Sequence, residues 1–172
     1  MTDDKVNILL VDDQPGKLLS YEVILRELGE NLIKAESARA ALEHLLKREI
    51  AVVLIDVCMP ELDGFQLAAM IREHPRYQKT AIIFISAILL TDVDRLRGYA
   101  MGAVDYVPVP VIPEVLRAKV KVFAELLQYH FIGEQLRRLV VDQKDVDLFM
   151  VHHWTPLSDA ATCGSQAAID RC

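Results

Sequence analysis

Apolar residues in the first 127 positions fall into two alternating rhythms. Short unbroken runs at 6–13 (VNILLVDD), 31–35, 51–55, 81–86 and 105–107 read as strands. Between them lie longer segments with apolar residues three and four apart. Pro15 to Leu28 places Leu18, Leu19, Val23, Ile24 and Leu28 on one helical face, and Gly29 stands where a C-terminal cap belongs. Ser37 is a favourable N-cap for a second helix carrying Ala38, Ala40, Ala41, Leu42 and Leu45. Asp63 to His74 predicts a third helix, ended near Pro75, and Asp92 to Met101 a fourth, closed at Gly102. Pro113 opens a fifth, at the first-turn position that tolerates proline.

Nearly uniform apolar strands alternating with helices predict an α/β fold: a doubly wound, five-stranded parallel sheet covered on both faces. Such a sheet binds ligands at the carboxyl ends of its strands, where the strand order reverses. In the flavodoxin-like order 2-1-3-4-5 the first and third strands are neighbours. Asp12 and Asp13, ending the first, then meet Asp56, ending the third. A charge closing a run as apolar as VVLI is expensive to bury unpaired, and three crowded acids oppose one another's ionisation. Mg2+ would remove that conflict, since it favours oxygen ligands, takes one or two carboxylates directly and keeps several waters. One Asp56 oxygen would remain as a nucleophile toward a phosphoryl group. An acidic pair after a strand is also common in solvated loops; the convergence at the rim is what favours a site.

In this frame the chain resembles the receiver domain of two-component response regulators over roughly Val6 to Leu127. ILLVDDQP is similar to that family's first strand and acidic pair, and LIDVCMPELDGF to its phospho-acceptor strand and following loop. The resemblance implies Asp56 as phospho-acceptor, and Mg2+ held by Asp12, Asp13, Asp56 and the backbone carbonyl of Cys58. Met59, Pro60 and Gly64 match the turn. FISA puts Ser86 where a hydroxyl meets the phosphoryl group. GAVDYVPVPV puts Tyr106 at the aromatic whose rotamer accompanies activation, and Pro110 at a proline usually preceded by a cis bond. One position departs. The family's lysine before that proline is here Val109, which supplies neither charge nor donor. Either Asp56 accepts phosphate with weakened coupling, or the domain is a degenerate receiver that signals by binding alone. A metal-dependent phosphohydrolase with a similar sheet is a third reading. Such enzymes usually carry a second acid two residues after the nucleophile, where this chain has Cys58.

Beyond the receiver (1–127), a helical extension is expected over 128–150 and a mobile tail, native or foreign, over 151–172. Ile132, Leu136, Leu139, Gln143, Val146 and Met150 keep a 4-3 spacing that Ala118, Val122 and Tyr129 extend backward, with Glu125 as a fault. That seam predicts a parallel homodimer through a stalk; a helix folded back on its own domain is the alternative. FMVHHWTPL faintly resembles the histidine box of a sensor kinase. The expected histidine position, four before Thr155, is Val151, so the spacing fails. The stalk resembles the N-terminal input of a larger signalling protein, with a histidine kinase or phosphotransfer protein as phosphodonor.

Composition removes other classes. A net charge of −6 with no basic run longer than a pair argues against a nucleic-acid partner. The longest nearly apolar run, Thr80 to Leu90, is too short to span a bilayer, and acids at the N-terminus argue against a signal peptide. Three cysteines, Cys58, Cys163 and Cys172, are odd in number and lack metal-ligand spacing. The expectation is a cytoplasmic switch with no membrane insertion, rather than a metabolic enzyme.

Overall fold

The structure, a computed structural model, describes residues 5–86, 96, 99, 100, 102–130, 132 and 133. The chain divides into two units, Met1–Phe131 and Ile132–Cys172, and the fold below is that of the first. Its elements run β1 (Asn7–Val11), α1 (Pro15–Leu25), β2 (Asn31–Ala35), α2 (Ala38–Lys47), β3 (Val52–Asp56), α3 (Gly64–Glu73), β4 (Ala81–Ser86) and β5 (Asp105–Pro108). Residues 113–130 form the C-terminal helix. Of the predicted fourth helix, residues 96, 99 and 100 are described and helical, and the others lie outside the described residues. So do the seam from Leu136 onward, the histidine-rich fragment and the tail.

The sheet has five strands in the order β2-β1-β3-β4-β5, and every pairing is parallel. Residues along each strand alternate between two cores, which is why the strands read as unbroken apolar runs. Leu9, Val11, Val53, Ile55, Ile82 and Phe84 face Ala41 and Leu45 of α2 and Leu67 and Ile71 of α3. Ile8, Leu10, Val52, Leu54, Ile83 and Ile85 face Leu18, Tyr21 and Leu25 of α1 and Leu116, Val120 and Ala124 of the C-terminal helix.

The ends of the elements follow local chemistry. Ser37 caps α2, its side chain accepting from the Ala40 N–H at 3.2 Å. Asp63 and Gln66 form a reciprocal capping box that starts α3 one residue after the predicted Asp63. After α1 the chain tightens into a 3-10 turn (Arg26–Leu28) and leaves it through Gly29 at φ 75°, the left-handed conformation glycine tolerates. β3 begins and ends one residue later than the apolar run suggests, and β5 extends to Pro108.

The expected inward face of α1 is corrected. Leu18, Tyr21 and Leu25 are buried, Ile24 and Leu28 are partly so, while Leu19 and Val23 are 55% and 57% exposed. The helix is rotated because Tyr21, amphipathic by composition, turns its ring into the core and its hydroxyl toward Asp12 at 3.4 Å.

Candidate functional site: an acidic rim at the carboxyl ends of β1 and β3

Register brings the rim together. Val11 pairs with Ile55, so Asp12 and Asp56 follow at the same level of adjacent strands. Asp56 in turn pairs with Ile85, placing Ser86 one position further along β4. Asp12, Asp56 and Ser86 are all buried. Carboxylate oxygens of Asp12, Asp13 and Asp56 lie within 4.8 Å of one another. The sequence-predicted acids are therefore assembled.

Asp12 is held on both oxygens: Oδ1 accepts from the Gln14 N–H at 2.9 Å and Oδ2 from the Tyr21 hydroxyl at 3.4 Å. Burial, reinforced by the Asp56 charge, raises its pKa above the ordinary carboxylate value, against the opposing pull of the Gln14 N–H and Lys17. Asp13 Oδ1 is buried with no hydrogen-bond partner. An orphaned anionic oxygen beside two more carboxylates is a donor set a hard divalent cation satisfies, so the residues fit Mg2+. Cys58 is exposed in the loop after β3. Partial desolvation and the Asp56 charge raise its thiol pKa; its backbone carbonyl, which the resemblance implies, is the candidate ligand.

Sequence reasoning missed one member. Lys17 Nζ donates to Asp56 Oδ2 at 3.1 Å and lies 3.4 Å from Asp12 Oδ2. Burial alone would lower its pKa, but the hydrogen bond to Asp56 and the charges of both acids leave it raised, so the ammonium is charged at neutral pH. The available signal was its place in the first turn of a helix that starts at the acidic rim.

The loop leaving Asp56 is held close. A Cβ on Gly64 would stand 2.5 Å from the Asp56 carbonyl oxygen and 2.9 Å from Val57 Cα, so only glycine lets α3 start against the end of β3. Val109, 39% exposed, donates its backbone N–H to the Ser86 carbonyl at 3.0 Å and precedes Pro110 through a cis bond. Tyr106, half-buried, packs its ring 5.4 Å from Phe84 and edge-on 5.4 Å from Tyr99.

A doubly wound sheet with an acidic rim at its switch point defines the class, and comparison places the chain within it. The chain belongs to the response regulator receiver domain family, whose model matches residues 8–121. It is 33% identical over 119 residues to the response regulator Rre1 of Synechocystis, covering 69% of this chain and 51% of that protein. It is 30% identical over 143 residues to the transcriptional regulatory protein SrrA of Staphylococcus aureus, covering 82% and 58%. Against the first, the chain spans about half the relative's length. Among solved structures, a response regulator from Chloroflexus aurantiacus superposes with a TM-score of 0.65 at 28% identity, over 70% of this chain and 98% of that one. The receiver domain of a Syntrophus aciditrophicus histidine kinase superposes with a TM-score of 0.63 at 28% identity, over 70% and 90%.

Proposed function

We propose that residues 1–127 of this chain are a phospho-accepting receiver whose acceptor is Asp56, and that the chain is the input part of a larger signalling protein. The observation that carries the reading is the convergence of Asp12, Asp13 and Asp56 oxygens within 4.8 Å at the carboxyl rim, beside the end of β4 that bears Ser86. An Asp56 oxygen attacks the phosphorus of a phosphohistidine or a small acyl phosphate. The new O–P bond forms as the donor's P–N or P–O bond breaks, and the electron pair leaves with imidazole, which takes up a proton, or with carboxylate. Such a transfer depends mostly on positioning and charge stabilisation. Asp12, Asp13, Asp56 and the Cys58 carbonyl would hold Mg2+, which would supply charge screening for the phosphoryl oxygens. Ser86 offers its hydroxyl to one of those oxygens. Tyr106 of β5, packed between Phe84 and Tyr99, carries the change to the face formed by the fourth helix, β5 and the C-terminal helix. The donor is a histidine kinase or phosphotransfer protein, the setting is cytoplasmic, and residues 128–150 extend the helix as a dimer stalk.

Intact mass after incubation with Mg2+ and acetyl phosphate, beside Asp56→Asn, tests the reading. One added phosphoryl group that disappears in the variant is the expected result. No addition, with Mg2+ binding demonstrated, would favour the second reading: a phosphorylation-independent interaction module. That reading draws on Val109, a half-exposed apolar side chain at the rim where the family resemblance calls for an ammonium.

A further inference from the structure

Lys17 is badly placed for a helix and well placed for chemistry. It stands in the first turn of α1, where the backbone dipole disfavours a cation, and no acidic residue shares that turn. Gln14 at the N-cap makes no side-chain cap hydrogen bond to compensate. Residues that break a local rule in this way are concentrated where function requires them. What holds Lys17 there is the pair of buried carboxylates, Asp56 Oδ2 at 3.1 Å and Asp12 Oδ2 at 3.4 Å. The two oxygens that grip the ammonium belong to the group proposed as nucleophile and to a proposed metal ligand. The stem leaves the side chain about one-third exposed (32%), so the ammonium has solvent-side room to move.

Two consequences follow from charge. A divalent cation drawn to Asp12 and Asp56 meets a positive charge already on them, so ammonium and metal compete for the same anions. A phosphoryl group added to Asp56 replaces one carboxylate oxygen's charge with a cluster of anionic oxygens on that side chain. An ammonium on a flexible stem can follow them. Resting on the reading of Asp56 as acceptor, we propose that Lys17 is the mobile counter-ion of this site, opposing Mg2+ while Asp56 is free and binding the phosphoryl oxygens once it is modified.

The test uses the full chain and its Lys17→Met and Lys17→Arg variants, with circular dichroism to confirm the fold. Mg2+ affinity, from calorimetric titration without phosphodonor, should tighten roughly fivefold or more in Lys17→Met and stay near wild type in Lys17→Arg. Modification by acetyl phosphate at saturating Mg2+, followed by intact mass, should slow at least about tenfold in Lys17→Met and recover in part in Lys17→Arg. Unchanged Mg2+ affinity in Lys17→Met would overturn the counter-ion role. Unchanged modification rate would overturn the phosphoryl contact. If wild type itself takes up no phosphate, the acceptor reading fails and the phosphoryl role falls with it, while the Mg2+ titration still decides whether Lys17 is the counter-ion.

Discussion

Ionising Asp12 comes at a cost to the fold. It is fully buried, and its raised pKa comes first from that burial, then from the charge of Asp56. An acid with a raised folded-state pKa binds its proton more tightly folded than unfolded, so the fold loses stability as pH rises from 3.8 through the raised value. Asp12→Asn removes that loss. Without divalent ions, the unfolding free energy of wild type should fall progressively behind that of Asp12→Asn as pH rises from 3.8 through the raised value, then run parallel. Denaturant titrations across that range check it; a gap independent of pH would contradict the assignment. At this scale the acids were legible because each closes an apolar run at a strand's carboxyl end. Lys17 was not, because its meaning lies in reaching Asp56 across 39 positions of sequence.

At the scale of elements, one side chain gathers three segments. The Arg72 guanidinium, in the last turn of α3, donates to the carbonyls of Tyr77, Gln78, Thr80 and Gly102 at 2.7–3.2 Å. Burial lowers its pKa without neutralising it, so the charge is balanced by carbonyl dipoles from the turn after α3, the approach to β4 and the bend before β5. Gly102, at φ 84°, accommodates this, since a Cβ there would stand 2.5 Å from Arg72 Nε. Removing the fork breaks the part-buried bonds to the carbonyls of Tyr77, Thr80 and Gly102. Arg72→Ala should therefore cost about 3 kcal/mol in chemical denaturation, and Arg72→Lys should recover less than half of it, lacking the planar fork. Helix and strand existence was legible from periodicity, and so were the caps at Ser37 and Gly29. The rotation of α1 was not, because counting Leu19 and Val23 inward ignores that Tyr21 satisfies its hydroxyl on Asp12.

At the scale of the molecule, the C-terminal helix has two faces. Leu116, Val120 and Ala124 close the core, while Val122 and Tyr129 of the predicted seam are 53% and 75% exposed. Apolar residues at seam spacing on the open side of a helix fit a second copy of the same helix. Val122→Glu with Tyr129→Glu touches no core position. It should leave thermal stability of the monomer within a few degrees and shift the light-scattering mass from dimer to monomer. A full chain that is monomeric before substitution would remove the stalk proposal. Among the described residues no helix is long and apolar enough to cross a membrane.

The sequence by itself determined the alternation of strands and helices, the all-parallel sheet and the three acids at one rim. These depend on local periodicity and on the rule that such sheets place function at their carboxyl ends. Tertiary structure alone decided which face α1 buries, which cation meets Asp56 and what the Arg72 fork holds together. Each of those rests on a side chain reaching a partner on another segment, and the direction of that reach follows from packing, which periodicity does not encode.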